Sequence, residues 1–299
     1  HRGFYFNSSE SEDTIVEGFD IFEGAVNNND TYPDNDYGYG GAVYIKNASP
    51  TFKNCKIRTS DAIYRGSGMY IWNDSNPTID NCFFEQNTHN TWQQGGAIAI
   101  ENASAIIKNS TFYQNGDSSD YRGGAIYIES SEDENDYFVD IDNTYFERNG
   151  STSGNVKGGA IWIFRTTVNI NNSHFFDNSA GYYGGAIFIE EDSYTNANDS
   201  TYHNIHINNS IFDYNGRYSD RGGAIYKSHA GDTLYVDNSK FTRNGWDTDE
   251  GGAIFLYRTK AVINNSEFTR NHTTSNSRGA AIFIDGNWYD FDESDSLYR

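Results

Sequence analysis

The acidic side chains are the residues that would matter most if this protein were an enzyme. Enzymes that cleave glycosidic bonds use a pair of Asp or Glu residues flanking the bond. Here the acids gather in loop-like segments such as 132–136 and 247–250, and no pair recurs at a distinctive spacing. We therefore expect no catalytic residues. These segments are interpreted as solvated loops, with weak Ca²⁺ binding as the alternative.

Histidine and lysine give no stronger sign of chemistry. None of the seven histidines lies in a metal-ligand motif, so the sequence predicts neither a metal site nor a cofactor. Lys227 stands where the neighbouring copies of a repeat carry an aliphatic residue. We interpret it as an irregularity at the end of a strand, not as a catalytic lysine.

The two cysteines, Cys55 and Cys82, each follow an asparagine and occupy the same position in adjacent copies of that repeat. If the copies stack, the Cα atoms of the two cysteines lie as far apart as neighbouring strands, about 4.8 Å, and this distance falls within the range of Cα–Cα distances found in disulfides. We predict a disulfide, with two buried free thiols as the alternative. A disulfide would indicate an oxidising, extracellular compartment.

The repeat itself covers most of the chain. The tetrad Gly-Gly-Ala-Ile, or a close variant, recurs nine times between Gly40 and Ala281, and it alternates with eight copies of Asn-Ser-x-Phe-x-x-Asn or its variants. The shortest spacings between tetrads indicate a coil of about 27 residues, and longer spacings indicate loop insertions. Units of this size stack on their neighbours.

Aligning the repeats produces vertical columns of like residues. We interpret the two asparagine columns as buried, turn-forming ladders and the Phe column as stacked core. The first asparagine column is Asn54, Asn81, Asn109, Asn143, Asn172, Asn209, Asn238 and Asn265; the Phe column is Ile57, Phe84, Phe112, Phe146, Phe175, Phe212, Phe241 and Phe268; the second asparagine column is Ser60, Asn87, Asn115, Asn149, Asn178, Asn215, Asn244 and Asn271.

The strand before each asparagine alternates in polarity. Val139, Ile141 and Asn143 fall on one face, and Asp140 and Asp142 fall on the other. Closing each repeat into a coil of such strands gives a parallel β-helix. We predict one all-β domain over residues 1–299 with about ten coils: a degenerate N-terminal coil at 1–39, regular repeats at 40–284, and an acidic aromatic tail at 285–299.

The two motifs together resemble a known repeat family. The tetrad that starts at Gly123, paired with Phe112-Tyr113-Gln114-Asn115, is similar to the repeats of chlamydial polymorphic outer-membrane proteins and of adhesin-like microbial surface proteins. The resemblance covers about residues 40–284. It implies a right-handed β-helix at the cell surface, a role in adhesion or envelope structure, and no catalytic residues. The copies at Gly66 and Gly279 depart from the pattern.

A second column follows the Ile of each tetrad and is aromatic in all copies but one, which has Ala99. If the Ile column faces inward, alternation turns these residues outward as a long apolar stripe, a surface for self-association or for glycans. The alternative is that they fill the core. The stripe consists of Tyr44, Tyr70, Tyr127, Trp162, Phe188, Tyr226, Phe255 and Phe283.

Several Asn-x-Ser/Thr sequons are candidate N-glycosylation sites. Others, at Asn109, Asn149 and Asn271, belong to the asparagine columns and are expected to be poor acceptors. The candidates are Asn7, Asn29, Asn47, Asn73, Asn102, Asn171, Asn198, Asn208 and Asn264.

The composition of the chain excludes some classes of function. A formal net charge of −21 argues against nucleic acid as a partner, and the sequence has no apolar run long enough for a membrane span. We predict a non-enzymatic, extracellular or cell-surface structural or adhesive protein; the alternative is a polysaccharide-binding or polysaccharide-degrading one. Neither end of the sequence shows a segment typical of a cap on a solenoid. We therefore predict that the chain is a piece of a longer surface protein or that copies associate head to tail into a filament, and a capped monomer is the third alternative.

Overall fold

The chain winds as a parallel β-helix. The computed structural model describes residues 1–26, 38–88, 94–116, 122–131, 137–152, 154–190, 203–229, 232–274 and 278–286. Within these residues there are thirty strands and no helix. The strands form three long sheets, which we call A, B and C, and every pairing in them is parallel. Each full coil contributes one strand to each sheet.

The strands of sheet A carry the tetrad's Ile and the aromatic column. They are β1 (Phe4–Phe6), β4 (Val43–Lys46), β7 (Met69–Trp72), β10 (Ile98–Glu101), β13 (Ile126–Glu129), β17 (Ile161–Phe164), β21 (Ile187–Glu190), β24 (Ile225–Ser228), β27 (Ile254–Tyr257) and β30 (Ile282–Asp285).

The strands of sheet B precede the first asparagine column. They are β2 (Ile15–Glu17), β5 (Thr51–Lys53), β8 (Thr78–Asp80), β11 (Ala105–Lys108), β14 (Phe138–Asp142), β18 (Thr167–Asn171), β22 (Ile205–Asn208), β25 (Thr233–Asp237) and β28 (Lys260–Asn264).

The strands of sheet C carry the Phe column. They are β3 (Asp20–Phe22), β6 (Lys56–Arg58), β9 (Phe83–Glu85), β12 (Thr111–Tyr113), β15 (Tyr145–Glu147), β19 (His174–Phe176), β23 (Ile211–Asp213), β26 (Lys240–Thr242) and β29 (Glu267–Thr269). A small fourth sheet pairs β16 (Gly150–Ser151) with β20 (Ser179–Ala180).

The register is the one that the repeat predicts. Ile98 of β10 pairs with Met69 below it and Ile126 above it, so each column of the aligned sequence is a column in space. The Phe column lies inside the coil, with ring centroids 4.7–4.9 Å apart from Phe84 to Phe268. Together with the aliphatic columns of sheets A and B, it forms one continuous core. The predicted fold of about ten coils is confirmed.

The tetrad has two glycines because two different constraints act there. Gly158 has φ +67, a backbone conformation that residues with a Cβ rarely adopt. Gly159 is held by packing: a Cβ there would lie 2.2 Å from the carbonyl oxygen of Gly185 in the next coil. Backbone therefore rests directly on backbone at this corner.

The second asparagine column is the buried ladder. Asn149 is 1% exposed; its Nδ2 donates to the Phe112 carbonyl oxygen (2.9 Å) and to Oδ1 of Asn178 (3.0 Å). Its Oδ1 in turn accepts from both the backbone N–H and the Nδ2 of Asn115. The same pattern runs from Asn87 to Asn271. From Asn87 to Asn244, both N–H groups of each amide are therefore donated, one to a Phe or Ile carbonyl oxygen and one to the next asparagine.

The first asparagine column is not a buried ladder, and that part of the prediction is wrong. Asn143 and its equivalents are exposed and have φ near +50. A left-handed residue breaks the strand alternation, so the asparagine turns outward and the following Ser or Thr turns inward. The buried Ser side chains form their own ladder, in which Ser173 Oγ accepts from the N–H of Thr144. Asn109 is thus exposed as well, contrary to expectation.

Candidate functional site

The predicted aromatic stripe lies on the outer side of sheet A but is not open to solvent. Its members form a cluster separate from the core inside the coil, as outward orientation requires. Tyr44 is 0% exposed, Trp162 1% and Tyr226 4%, and only Phe283 is partly exposed. The expectation of an accessible apolar stripe is therefore wrong.

The chain's own side chains account for much of this burial. The rings stack on one another along the helix axis, with the centroids of Tyr127 and Trp162 4.5 Å apart. Cations from the position before several tetrads lie against the rings: the guanidinium carbon of Arg122 is 5.0 Å from the ring centroid of Trp162, and that of Arg221 is 5.2 Å from the ring centroid of Phe255. Sequence alternation gives the direction of a side chain but not what packs over it.

A polar network fills the gap that Ala99 leaves in the stripe. Arg65 Nη1 lies 2.6 Å from Oε2 of Glu101 and 3.0 Å from Oε2 of Glu129, on adjacent strands β10 and β13. The hydroxyl of Tyr70 donates to Glu101 and that of Tyr127 donates to Glu129, each at 2.5 Å. Burial, with the neighbouring carboxylates acting in the same direction, raises the pKa of both tyrosines above the usual range. Each carboxylate in this network therefore interacts with Arg65 and with one tyrosine hydroxyl.

A row of accessible aromatic residues, not predicted from the sequence, lies on the outer face of sheet C. We call the aromatic and aliphatic residues that point outward from β9 to β23 the sheet C face: Phe83, Tyr113, Tyr145, His174, Phe176 and Ile211. The signal was present, because the residues on either side of an inward Phe on a strand must point outward. These outward aromatic residues alternate with polar and charged ones from coil to coil, so they form no uniform column in the sequence.

The geometry of the sheet C face is open and mixed in polarity. Tyr145 and His174 meet edge to face with ring centroids 5.1 Å apart, and Ile211, next along the column, is 41% exposed. Glu147 and Asp213 stand beside these rings. Partial burial lowers the pKa of His174, opposed by the charges of Asp213 and Glu147, and burial with Glu147 raises the pKa of Tyr145.

A cavity of about 440 Å³ holds a second group of charged side chains. Asp220 and Asp249 line it with Tyr182 and Tyr183, and burial, reinforced by the charge of Asp249, raises the pKa of Asp220. Glu250, also in the lining, lies between Arg221 (Nε to Oε2, 3.1 Å) and Arg278. No group of three or more His, Cys, Asp or Glu residues in the described parts of the chain is placed to hold a metal ion.

The two cysteines are stacked neighbours but free thiols, so the predicted disulfide is absent and the alternative describes the structure. Both belong to the buried Ser column. Cys55 Sγ donates to the Lys53 carbonyl oxygen at 3.2 Å, and Cys82 Sγ donates to that of Asp80 at 3.5 Å, which are the bonds the Ser hydroxyls make at equivalent positions. The two thiols also interact with each other across adjacent coils through a side-chain hydrogen bond.

The candidate N-glycosylation sites differ in accessibility. Asn7, Asn47 and Asn264 are exposed, whereas Asn73, Asn102, Asn171 and Asn208 are partly buried. Asn29 and Asn198 lie outside the described residues, as do the acidic segment 132–136 and most of the tail.

Lys227 lies in the core, not at a strand end. It is 0% exposed and replaces an aliphatic residue between Ile189 and Leu256 in the inner column of sheet A. Burial lowers its pKa to about 8, against an ordinary value of 10.5, and the charge of Asp232 acts in the opposite direction. The folded protein therefore disfavours the charged lysine.

We expect Lys227→Met to raise the free energy of unfolding near pH 7 by about 1–3 kcal/mol, since it removes a buried charge. Between the folded and the unfolded pKa values of Lys227, the folded state binds fewer protons than the unfolded state. The free energy of unfolding of the natural protein, relative to that of the variant, should therefore rise as the pH increases from 8 to 10.5 and show no such rise below pH 8. Urea unfolding at several pH values measures this, with exposed Lys56→Met as control. A pH dependence identical in both variants would contradict the assignment.

Comparison with known proteins agrees with this architecture. A family model described as "Right handed beta helix region" matches residues 25–201, more than half of the chain. No curated protein and no solved structure matches it. Among the described residues, no helix has the length and hydropathy needed to cross a membrane. The chain belongs to the right-handed β-helix family.

Proposed function

We propose that the protein is a non-enzymatic structural and adhesive rod that acts outside the cell or on its surface and binds neutral glycans through the sheet C face. The observation that carries this proposal is the row of partly exposed rings along that face. Tyr145 and His174 are direct neighbours across two strands, and Phe176 lies beside His174 at a centroid distance of 6.2 Å.

The spacing of these rings suits a chain of sugars. Parallel strands are about 4.8 Å apart, so side chains on successive coils form a row along the helix axis. An extended polysaccharide has a comparable rise for each sugar, and its C–H faces pack on aromatic rings. Hydroxyl groups can then donate to Glu147 and Asp213 beside the rings.

Charge selects among glycans. The net charge of −21 repels polyanions at a distance. Close to the face, Glu85, Glu147 and Asp213 lie in one column, and Arg243 pairs with Asp213 at 2.6 Å, so the described residues of this face offer an acidic sugar no unpaired cluster of cations. Neutral glycans are therefore the expected partners.

The partnering of the clustered acids supports a non-enzymatic role. Glu101 and Glu129 share Arg65 and each accepts from a tyrosine, and Glu250 is paired with two arginines. A general acid or base needs a site where it can exchange a proton with substrate. Carboxylates held in such pairs stabilise the packing of the side chains around them.

Polysaccharide degradation is the second candidate because of one observation, the cavity with Asp220 and Asp249. Two carboxyl groups, one with a raised pKa, are what a glycosidase uses as acid and base. Reducing-end release from a panel of polysaccharides, lost in Asp220→Asn and Asp249→Asn, would favour this candidate over a purely adhesive role.

Binding to immobilised neutral and acidic polysaccharides tests the adhesive proposal. We expect binding to neutral chains only, weakened about tenfold or more by Tyr145→Ala or Phe176→Ala, since truncating an aromatic anchor of a binding surface costs about 2 kcal/mol or more. Tyr235→Ala is the matched control, because Tyr235 is a partly buried tyrosine on sheet B that stacks on His206. Equal loss in all three variants, or binding to acidic chains alone, would refute the assignment.

Self-association and extracellular location belong to the same proposal. Exposed sequons at Asn7, Asn47 and Asn264 suit a secreted or surface protein. Coils that stack through identical columns could also stack end to end between copies. Electron microscopy of native material is the measurement: long fibres support the filament, and short discrete rods exclude it.

A further inference from the structure

The buried asparagine ladder contains every Asn-Gly dipeptide of the sequence. They are Asn115-Gly116, Asn149-Gly150, Asn215-Gly216 and Asn244-Gly245. Asn-Gly is the dipeptide most prone to spontaneous deamidation, because glycine has no side chain to hinder the reaction. We infer that these four asparagines are latent deamidation sites, protected while the coils are closed and converted when the coils open.

The reaction has defined requirements. The backbone nitrogen of the glycine, after losing its proton, attacks the side-chain Cγ of the asparagine. A C–N bond forms, the Cγ–Nδ2 bond breaks, and ammonia leaves. Water then opens the cyclic imide at one of its two carbonyl carbons, which gives aspartate or isoaspartate. The attacking N–H must therefore be free, the amide must be able to rotate, and water must enter.

The folded coil blocks each requirement. The N–H of Gly150 donates to the Asn115 carbonyl oxygen at 2.9 Å, and those of Gly216 and Gly245 make the same bond to Asn178 and Asn215 at 2.9 and 2.8 Å. The amide of Asn149 is fixed by four hydrogen bonds. The ladder asparagines concerned are 0–1% exposed, so water is excluded.

Packing explains why such a reactive dipeptide is present. Gly150 has φ +83, and a Cβ on it would lie 2.2 Å from the Ser179 carbonyl oxygen. Gly216 and Gly245 are equally confined by the glycines of neighbouring tetrads. The ladder requires the asparagine, and the corner after it requires the glycine.

Conversion would also prevent return to the native state. An aspartate at position 149 would place acceptor oxygens against the Phe112 carbonyl and Oδ1 of Asn178, where Nδ2 now donates. An isoaspartate would add a backbone atom and shift the register. Unfolding that lasts long enough for deamidation therefore becomes irreversible.

The test is to hold the protein at mildly alkaline pH with and without urea and to map aspartate and isoaspartate by mass spectrometry. We expect the four sites to convert at least about 100-fold more slowly in the folded protein, the factor that corresponds to an opening free energy of about 2.8 kcal/mol. Refolding yield after removal of urea should fall as conversion rises.

Two other ladder asparagines are internal controls. Asn87 and Asn178 are equally buried but precede Thr88 and Ser179. In urea they should convert more slowly than the four Asn-Gly sites. Equal conversion with and without urea, or full refolding of converted chains, would overturn the inference.

Discussion

Replacing Asn178 by alanine is expected to lower the free energy of unfolding by about 3 kcal/mol or more. The change removes two donated bonds, to the Phe146 carbonyl oxygen and to Oδ1 of Asn215, and the acceptor for two N–H groups of Asn149. All of these groups lie in the interior, so each one left without a partner costs about 1–3 kcal/mol. Urea unfolding followed by circular dichroism measures the difference.

Asn172→Gly is the matched control for that experiment. Asn172 is exposed in the same coil, has φ +51, and donates from Nδ2 to Oδ1 of Asp142. Because glycine adopts a left-handed conformation readily and the lost bond is on the surface, we expect a change within about 0.5 kcal/mol. If both variants lost a similar amount of unfolding free energy, the two asparagine columns would contribute equally to stability, which would contradict the roles that the structure gives them.

Gly159→Ala should be comparably damaging, for a steric reason. The added methyl group would lie 2.2 Å from the Gly185 carbonyl oxygen and 2.5 Å from that of Ser179. Both obstacles are backbone atoms of the next coil, so relief requires the coils to separate. We expect a loss of about 3 kcal/mol or more, or failure to fold. Thermal unfolding or soluble yield reports it.

Gly286→Ala is the control that shows whether the loss of stability comes from the position of the glycine in the tetrad or from replacing any glycine by alanine. Among the described residues, no atom lies within 4 Å of a Cβ at Gly286, so this variant should match the natural protein. If Gly159→Ala were tolerated equally well, the close contact between coils at the tetrad could not be a requirement of the fold.

Much of the fold follows from the repeat because a solenoid turns sequence columns into spatial columns. The pairing of Ile98 with Ile126 is implied once the two tetrads are aligned. Orientation is harder, since it depends on local backbone conformation. One left-handed residue at Asn143 reverses the expected alternation, and no count of residues between motifs shows that reversal.

The functional surfaces were less predictable than the fold. The direction of Trp162 follows from alternation, but its 1% exposure depends on neighbours such as Arg122 that pack across coils. Arg65 reaches Glu129 two coils away because Ala99 leaves space between them. Such contacts between columns are specific to the three-dimensional arrangement. The sheet C face, by contrast, follows from strand alternation but forms no uniform column in the sequence.

The asparagine ladder has a direction. From Asn87 to Asn244, each Nδ2 donates to the Oδ1 of the following coil, so the amide dipoles point the same way along the whole row. Aligned hydrogen-bonded dipoles polarise one another, and each bond strengthens the next. The buried ladder is therefore electrically polar along its length, and a break in one coil weakens the ladder bonds of coils that it does not touch.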